Sequence, residues 1–198
     1  MKNITAIVLA AGFSSRMERC KLDLPFKNHT IIEEVLLQLS KIAVTEILVV
    51  TGHYKDRLEN LLSGNKGITI THNTHYAKGM TTSIQCGVKK ASINSDGYLI
   101  CLGDLPLISS EGYKIVLDAV KSSIHPRQLI VRPFHREIPG HPVFFGADFK
   151  DDILDLKEAE GAKSLFKSHS NFVQKLKINS ASIIKDFDTP NQYNKYNG

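Results

Sequence analysis

The residues best suited to chemistry fall in two places. The first follows a short apolar run, Ile4 to Leu9, and reads Ala10-Ala11-Gly12-Phe13-Ser14-Ser15-Arg16-Met17, with Lys21 before Leu24-Pro25. Small residues directly after a buried strand let backbone N–H groups approach a ligand closely, and the helix N-terminus that follows such a turn favours anions. Arg16 and Lys21 add positive charge suited to a polyphosphate. The segment is neither a G-x-x-x-x-G-K-[ST] loop nor a G-x-G-x-x-G turn. On spacing alone, an ordinary strand–turn–helix with solvated basic residues stays open. The second place is Leu99-Ile100-Cys101-Leu102-Gly103-Asp104-Leu105-Pro106. An Asp just past a buried strand stands at the carboxyl edge of the sheet, where open α/β sheets bind ligands. There it can hold Mg²⁺ against phosphate oxygens, or serve as a turn or cap residue.

Positioning these residues requires a layered fold, and the pattern supplies one. Strand-like and helix-like segments alternate almost throughout, the arrangement of a three-layer α/β domain with a mostly parallel sheet. Ile4–Leu9, Glu46–Thr51, Gly67–Thr71 and Tyr98–Leu102 read as strands, with later ones at Leu129–Val131, Pro142–Phe145 and Phe172–Ile178. Thr30 and Glu33 form a capping box opening a helix with Ile32, Val35, Leu36 and Leu39 at helical spacing. Leu58, Leu61 and Leu62 mark a short helix, and Ile84, Val88 and Ala91 one face of another from Thr81. Ser109 caps a helix that turns Tyr113, Val116, Leu117 and Val120 inward. Further helices are expected near Asp148–Leu156 and Gly161–Phe166. Residues 122–142, with several prolines and basic residues, read as an extended loop or subdomain.

Composition narrows the class. The 198 residues are 42% apolar and 23% charged, ordinary for a globular chain with one core. No apolar run approaches the roughly 18 residues of a membrane span, and the N-terminal run is too short for a secretory signal. A cytoplasmic location is the expectation, without membrane association. Three cysteines lack C-x-x-C spacing, so no disulfide framework or zinc site is indicated. The net charge of +5 suits a polyanionic small ligand, and no basic stripe with interleaved aromatics points to nucleic acid.

Lesser candidates have plain readings. His72-x-x-His75 reads as a surface loop rather than a metal pair. Cys20 beside Lys21 reads as an incidental thiol, and Cys86 and Cys101 as small core residues. The acidic run from Asp148 suits a helix start. His141, between Gly140 and Pro142, fits a hydrogen-bonded turn and a ligand contact equally.

Taken together, six segments resemble the molybdenum cofactor cytidylyltransferase-like family, within the nucleotidyltransferase superfamily that has the molybdenum cofactor guanylyltransferase fold. They are Leu9-Ala10-Ala11-Gly12 with Ser15-Arg16-Met17 and Lys21; Gly79-Met80-Thr81-Thr82-Ser83; Leu102-Gly103-Asp104-Leu105-Pro106; Gly140-His141-Pro142-Val143; Glu160-Gly161-Ala162-Lys163; and Asp186-Phe187-Asp188-Thr189-Pro190. They run in the family's order across nearly the whole chain. The chain departs from the pattern at Glu18, where the family usually has Gly, and at Leu105, Pro139 and Lys163, where Gln, a basic residue and Arg are usual.

The resemblance implies a three-layer αβα Rossmann-like nucleotidyltransferase fold over residues 1–198 as one domain, with an NTP-binding N-terminal part and an acceptor-binding C-terminal part. It assigns Leu9, Ala10, Ala11, Gly12, Arg16, Lys21, Gly79, Met80 and Ser83 to the nucleotide. Asp104 and Asp188 are assigned to a Mg²⁺ ion, and His141, Arg132 and Arg136, on a loop with His135, to the acceptor. Lys21, Arg16 and Asp104 become the catalytic groups. The implied reaction is attack by an acceptor phosphate on the α-phosphorus of CTP, releasing pyrophosphate. The implied acceptor is a phosphorylated pterin, with a molybdoenzyme as possible client. A sugar phosphate or other phosphorylated metabolite as acceptor, and a non-catalytic molybdenum cofactor carrier, are the rival readings. The Ala11 methyl, where guanylyl-transferring relatives tend to have Gly, is expected to narrow the space beside the base and favour a pyrimidine.

Overall fold

The computed structural model describes residues 3–157 and 161–197, so Glu160 of the fifth motif lies outside the described residues. Its strands are β1 Ile4–Ala10, β2 Pro25–Phe26, β3 His29–Thr30, β4 Glu46–Thr51, β5 Ile68–His72, β6 Gly97–Leu102, β7 Ile130–His135, β8 Ile138–Pro139, β9 Val143–Gly146 and β10 Val173–Lys177. Its helices are α1 Ile31–Ser40, α2 Lys55–Leu62, α3 Met80–Lys90, α4 Ser110–Ser122, α5 Lys150–Leu154, α6 Lys163–Ser168 and α7 Pro190–Asn197. None is long and apolar enough to cross a membrane.

The main sheet runs β10-β7-β9-β6-β1-β4-β5, with β8 hairpinned onto β7. β1 pairs in parallel with β4 and β6, β4 with β5, and β7 with β10, while β9 runs antiparallel between β6 and β7. The sheet is therefore mixed but mostly parallel, as expected. Alternation along β1 divides the core. Ile4, Ala6, Val8 and Ala10 face the layer of α1, α2 and α4, with Val35, Leu58 and Val116. Ile7 faces the opposite layer, with Ile84 and Val88 of α3, Ile153 of α5 and Leu165 of α6. A strand buried on both faces is apolar at nearly every position, and the one polar residue within Ile4–Leu9, Thr5, has its hydroxyl hydrogen-bonded to Glu46 and Ser95.

Local signals set the helix starts. Thr30 and Glu33 form the expected capping box, with Thr30 N–H donating to Glu33 Oε2 at 2.8 Å. Ser109 Oγ accepts from Gly112 N–H as the cap of α4. The stretch 122–142 is more regular than its composition suggests. It holds a 3₁₀ turn at Pro126–Gln128 and then β7, in which Pro133 sits within a strand. The helix expected near Asp148–Leu156 is a shorter α5 preceded by a 3₁₀ turn. α7 was not anticipated. Thr189, Pro190 and Gln192 are nevertheless a cap, an N1 proline and an N3 acceptor, and Gln192 Oε1 accepts from Thr189 N–H at 2.9 Å.

Candidate active site

The carboxyl ends of β1 and β6 open on a cavity of about 360 Å³. All nine residues assigned to the nucleotide line it, together with Asp104 and Asp188. Phe13, Tyr76, Ala77 and Leu102 also line it. No sequence signal singled these out, because their types are as common in loops and cores as in binding sites.

The loop after β1 is built by its backbone. Met17 N–H donates to Ser14 O, and Lys21 N–H to Ser14 Oγ, which ties the loop across a 3₁₀ turn at Ser15–Met17. Ser14 and Glu18, on either side of that turn, are both left-handed, with φ of 50° and 55°. Glu18 stands where the resemblance led one to expect Gly, and its left-handed backbone is one that a side chain enters at a cost of about 1–2 kcal/mol. Glu18→Gly is expected to stabilise the fold by about 0.5–1 kcal/mol, read as a higher urea midpoint. An unchanged or lower midpoint would contradict the strain.

Ala11 lines the cavity and also packs closely behind it. Its side chain is buried, and a Cβ added to Gly52 would lie 2.7 Å from the Ala11 Cβ and 2.6 Å from the Ala11 carbonyl oxygen. The methyl therefore packs on Gly52, which sets the position of the loop. Gly52→Ala must push the loop away from β4. It is expected to lower NTP affinity about tenfold and stability by about 1–3 kcal/mol. Normal nucleotide affinity in this variant would show that the close approach is unnecessary.

At the charged end of the cavity, Asp104, Asp186 and Asp188 bring carboxylate oxygens within 4.8 Å of one another. Lys21 Nζ lies 2.5 Å from both Asp104 Oδ2 and Asp188 Oδ1, and Arg16 pairs with Asp188. Burial opposes the Lys21 charge, but Asp104 and Asp188 outweigh it and hold the ammonium above its usual range. The cations keep the Asp188 carboxyl below its usual range despite burial. Asp186 goes the other way, raised by burial and by the charges of Asp188 and Asp104. Three close, partly buried oxygen donors suit a hard divalent cation, and Lys21 and Arg16 are the counter-charges paired with them in this structure.

Asp186 was missed in the sequence. Phe187 is fully buried, packed on Phe26 with ring centroids 5.6 Å apart, and the carboxylates on either side of this anchor both reach the cluster. α7 holds this segment in place. Asp188 N–H donates to Gln192 Oε1 at 3.1 Å, and the Tyr193 hydroxyl donates to Pro25 O at 2.6 Å.

Arg132 and His141 line a second cavity of about 500 Å³, with Met80, which borders both cavities. The Arg132 guanidinium lies 4.1 Å from the centroid of the Phe166 ring, and burial lowers its pKa. His141 Nδ1 is 3.4 Å from the carbonyl oxygen of Ile100 and must be its donor, since a carbonyl only accepts. Burial lowers the His141 pKa and favours the neutral ring, leaving Nε2 as an acceptor. Arg136 lies elsewhere, exposed in the β7–β8 turn with φ of 55°, and His135 Nδ1 contacts Ile178 O. His72 and His75 are not part of the carboxylate cluster. Burial raises the Cys20 thiol, which fits an inert side chain.

Comparison with known proteins agrees with this geometry. The chain is 27% identical over 199 residues to the molybdenum cofactor cytidylyltransferase of Escherichia coli, covering 98% of this chain and 95% of that protein. Its fold resembles Rv0371c of Mycobacterium tuberculosis (TM-score 0.85, 20% identity, 100% and 99% of the two chains). It also resembles a nucleotidyl transferase of Methanothermobacter (TM-score 0.79, 23% identity, 98% and 96% covered). The model of the MobA-like NTP transferase domain matches residues 6–172. That match takes in the loop after β1 and Asp104 at the end of β6, and the chain is a nucleotidyltransferase that belongs to the MobA-like NTP transferase domain family.

Proposed function

We propose that this enzyme transfers CMP from CTP to the phosphate of a phosphorylated pterin, molybdopterin, with Mg²⁺, in the cytoplasm. Residues 1–198 act as one domain, its N-terminal part holding the nucleotide and its C-terminal part the acceptor. The observation that carries the reading is the pair of cavities meeting at Met80, one lined by Lys21, Arg16, Asp104 and Asp188, the other by Arg132, His141 and Phe166. The likeness to the Escherichia coli cytidylyltransferase along the whole chain supports the choice of substrates.

An acceptor phosphate oxygen attacks the α-phosphorus in line, and the bond from that phosphorus to the α–β bridging oxygen breaks. That oxygen's electron pair leaves with pyrophosphate. The attacking phosphate is already ionised at neutral pH, so no general base is required, and catalysis rests on positioning and charge neutralisation. A divalent ion held by Asp104, Asp188 and Asp186 would supply charge to the transferring phosphate. Lys21, freed from those carboxylates, neutralises the charge on the triphosphate, and Arg16, whose side chain is 67% exposed, can swing onto it. In the second cavity, Arg132 and Phe166 offer a flat face to a fused heterocycle. The Nε2 acceptor of His141 suits a ring N–H better than a phosphate.

Arg132→Ala tests the acceptor half. It is expected to raise the acceptor KM about tenfold while leaving the CTP KM unchanged, with the product detected as the acceptor mass plus CMP. An unchanged acceptor KM, or a product mass matching another phosphorylated metabolite, would overturn the pterin assignment.

A further inference from the structure

The stretch of the cavity wall from the turn after β5 into α3 is uncharged: Tyr76, Ala77, Gly79 and Ser83. If the carboxylates, Lys21 and Arg16 take the triphosphate, this uncharged stretch takes the base. Ser83, on the first turn of α3, is only 3% exposed, and so is a well-fixed polar group on that wall.

Behind it lies Asn73, 4% exposed, just past β5. Asn73 N–H continues the ladder to Thr51 O at 2.9 Å, which fixes its backbone. Its side-chain amide has only one workable orientation. The Oδ1 atom accepts from His75 N–H at 2.9 Å, so the Nδ2 atom must face the hydroxyls of Thr82 and Ser83, at 2.9 and 3.0 Å. The Thr82 hydroxyl passes its own proton on to the carbonyls of His75 and Gly79. The Ser83 oxygen is an acceptor toward Asn73, and among the described residues nothing accepts the Ser83 proton. A hydroxyl normally rotates to suit its partner. Here the lone pair facing Asn73 is committed, and the proton is left for the cavity.

We propose that Asn73 is a positioning residue for base selection, holding the Ser83 hydroxyl as a hydrogen-bond donor to the base. This deepens the CTP reading and rests on it. Cytosine presents an unprotonated ring nitrogen at N3, which accepts such a donor, whereas uracil presents N3–H at the same place. A rotor free to turn would serve both bases, but a rotor held by Asn73 serves cytosine and leaves the uracil N–H facing a proton. Polar mismatches of this kind discriminate strongly, because a buried group is left unpaired.

The test reads binding of CTP and of UTP by calorimetry in Mg²⁺ without acceptor, on the full chain, alongside thermal unfolding. Asn73→Asp keeps the shape but can only accept, so the Ser83 proton turns to it and a lone pair faces the base. The expected result is a fall of about tenfold or more in the preference for CTP over UTP. Damage to the fold would instead weaken both nucleotides together. Ser83→Ala leaves every other bond of Asn73 in place, and is expected to lower the same preference even should Asn73→Asp fold poorly. Adding Asn73→Asp to Ser83→Ala should change the ratio no further. The proposal is overturned by a wild-type ratio in either single variant, or by a further fall in the double variant. Failure of the CTP reading itself would show separately, as a wild type that prefers a purine triphosphate or does not distinguish CTP from UTP.

Discussion

Asp104→Asn is expected to lower kcat for nucleotidyl transfer about a hundredfold, equivalent to about 2.7 kcal/mol of transition-state stabilisation, with little change in unfolding temperature. Asn has the shape of Asp without its charge. The stability expectation follows from the geometry of the cluster. Lys21 still has Asp188 at 2.5 Å, so no ammonium is left stranded, and Asp186 loses one of the two like charges that raise its pKa. The activity expectation follows from the same cluster, since one of three oxygen donors within 4.8 Å becomes neutral. Raising the divalent cation concentration should recover part of the rate. Wild-type turnover in Asp104→Asn at limiting Mg²⁺ would remove this carboxylate from the mechanism.

Lys21→Ala should separate two properties that usually move together. Lys21 Nζ contacts Asp104 and Asp188 with a 13% exposed side chain, and so competes with a cation for those oxygens. Without it, among the described residues three carboxylates remain with Arg16 as the paired counter-charge, on Asp188. Manganese binding in the absence of nucleotide is then expected to tighten by about tenfold. Transfer nevertheless falls by about a hundredfold or more in kcat/KM, because the charge that neutralises the triphosphate is gone. Lys21→Arg should recover little, since a planar fork cannot sit at one point 2.5 Å from both oxygens. Weaker manganese binding in Lys21→Ala would show that the lysine supports the cation site and does not compete for it.

Much of this arrangement is legible in the residues alone, and the reasons differ by element. β1 and β6 announce themselves because burial on both faces leaves nearly continuous apolar runs, broken in β1 only by Thr5, and the loop after β1 follows from its small residues. α1 is set by a capping box that needs only Thr30 and Glu33. α7 carried the same kind of signal in Thr189, Pro190 and Gln192, but its polar sequence has no apolar stripe to draw attention to it. Asp186 is not legible as a ligand because its segment has no regular periodicity, and only the fold around the buried Phe187 brings it to Asp188 and Asp104. β7 is obscured because Pro133 sits in a strand whose order comes from its neighbours β9 and β10. Asn73 could not be found from spacing, since its role depends on an amide orientation fixed by His75 N–H. The position of Ala11 in the cavity lining is legible from the motif, but its close packing on Gly52 is not, because it depends on how the loop meets β4.

The central claim is CMP transfer to a phosphorylated pterin, and pyrophosphate release tests it most directly. The protein with Mg²⁺ is given each of the four nucleoside triphosphates in turn, with and without molybdopterin. The account predicts pyrophosphate that depends on the acceptor and is fastest with CTP. Binding of molybdopterin without pyrophosphate from any nucleotide would indicate a carrier, and acceptor-dependent release that is fastest with GTP or ATP would contradict the cytidylyl assignment.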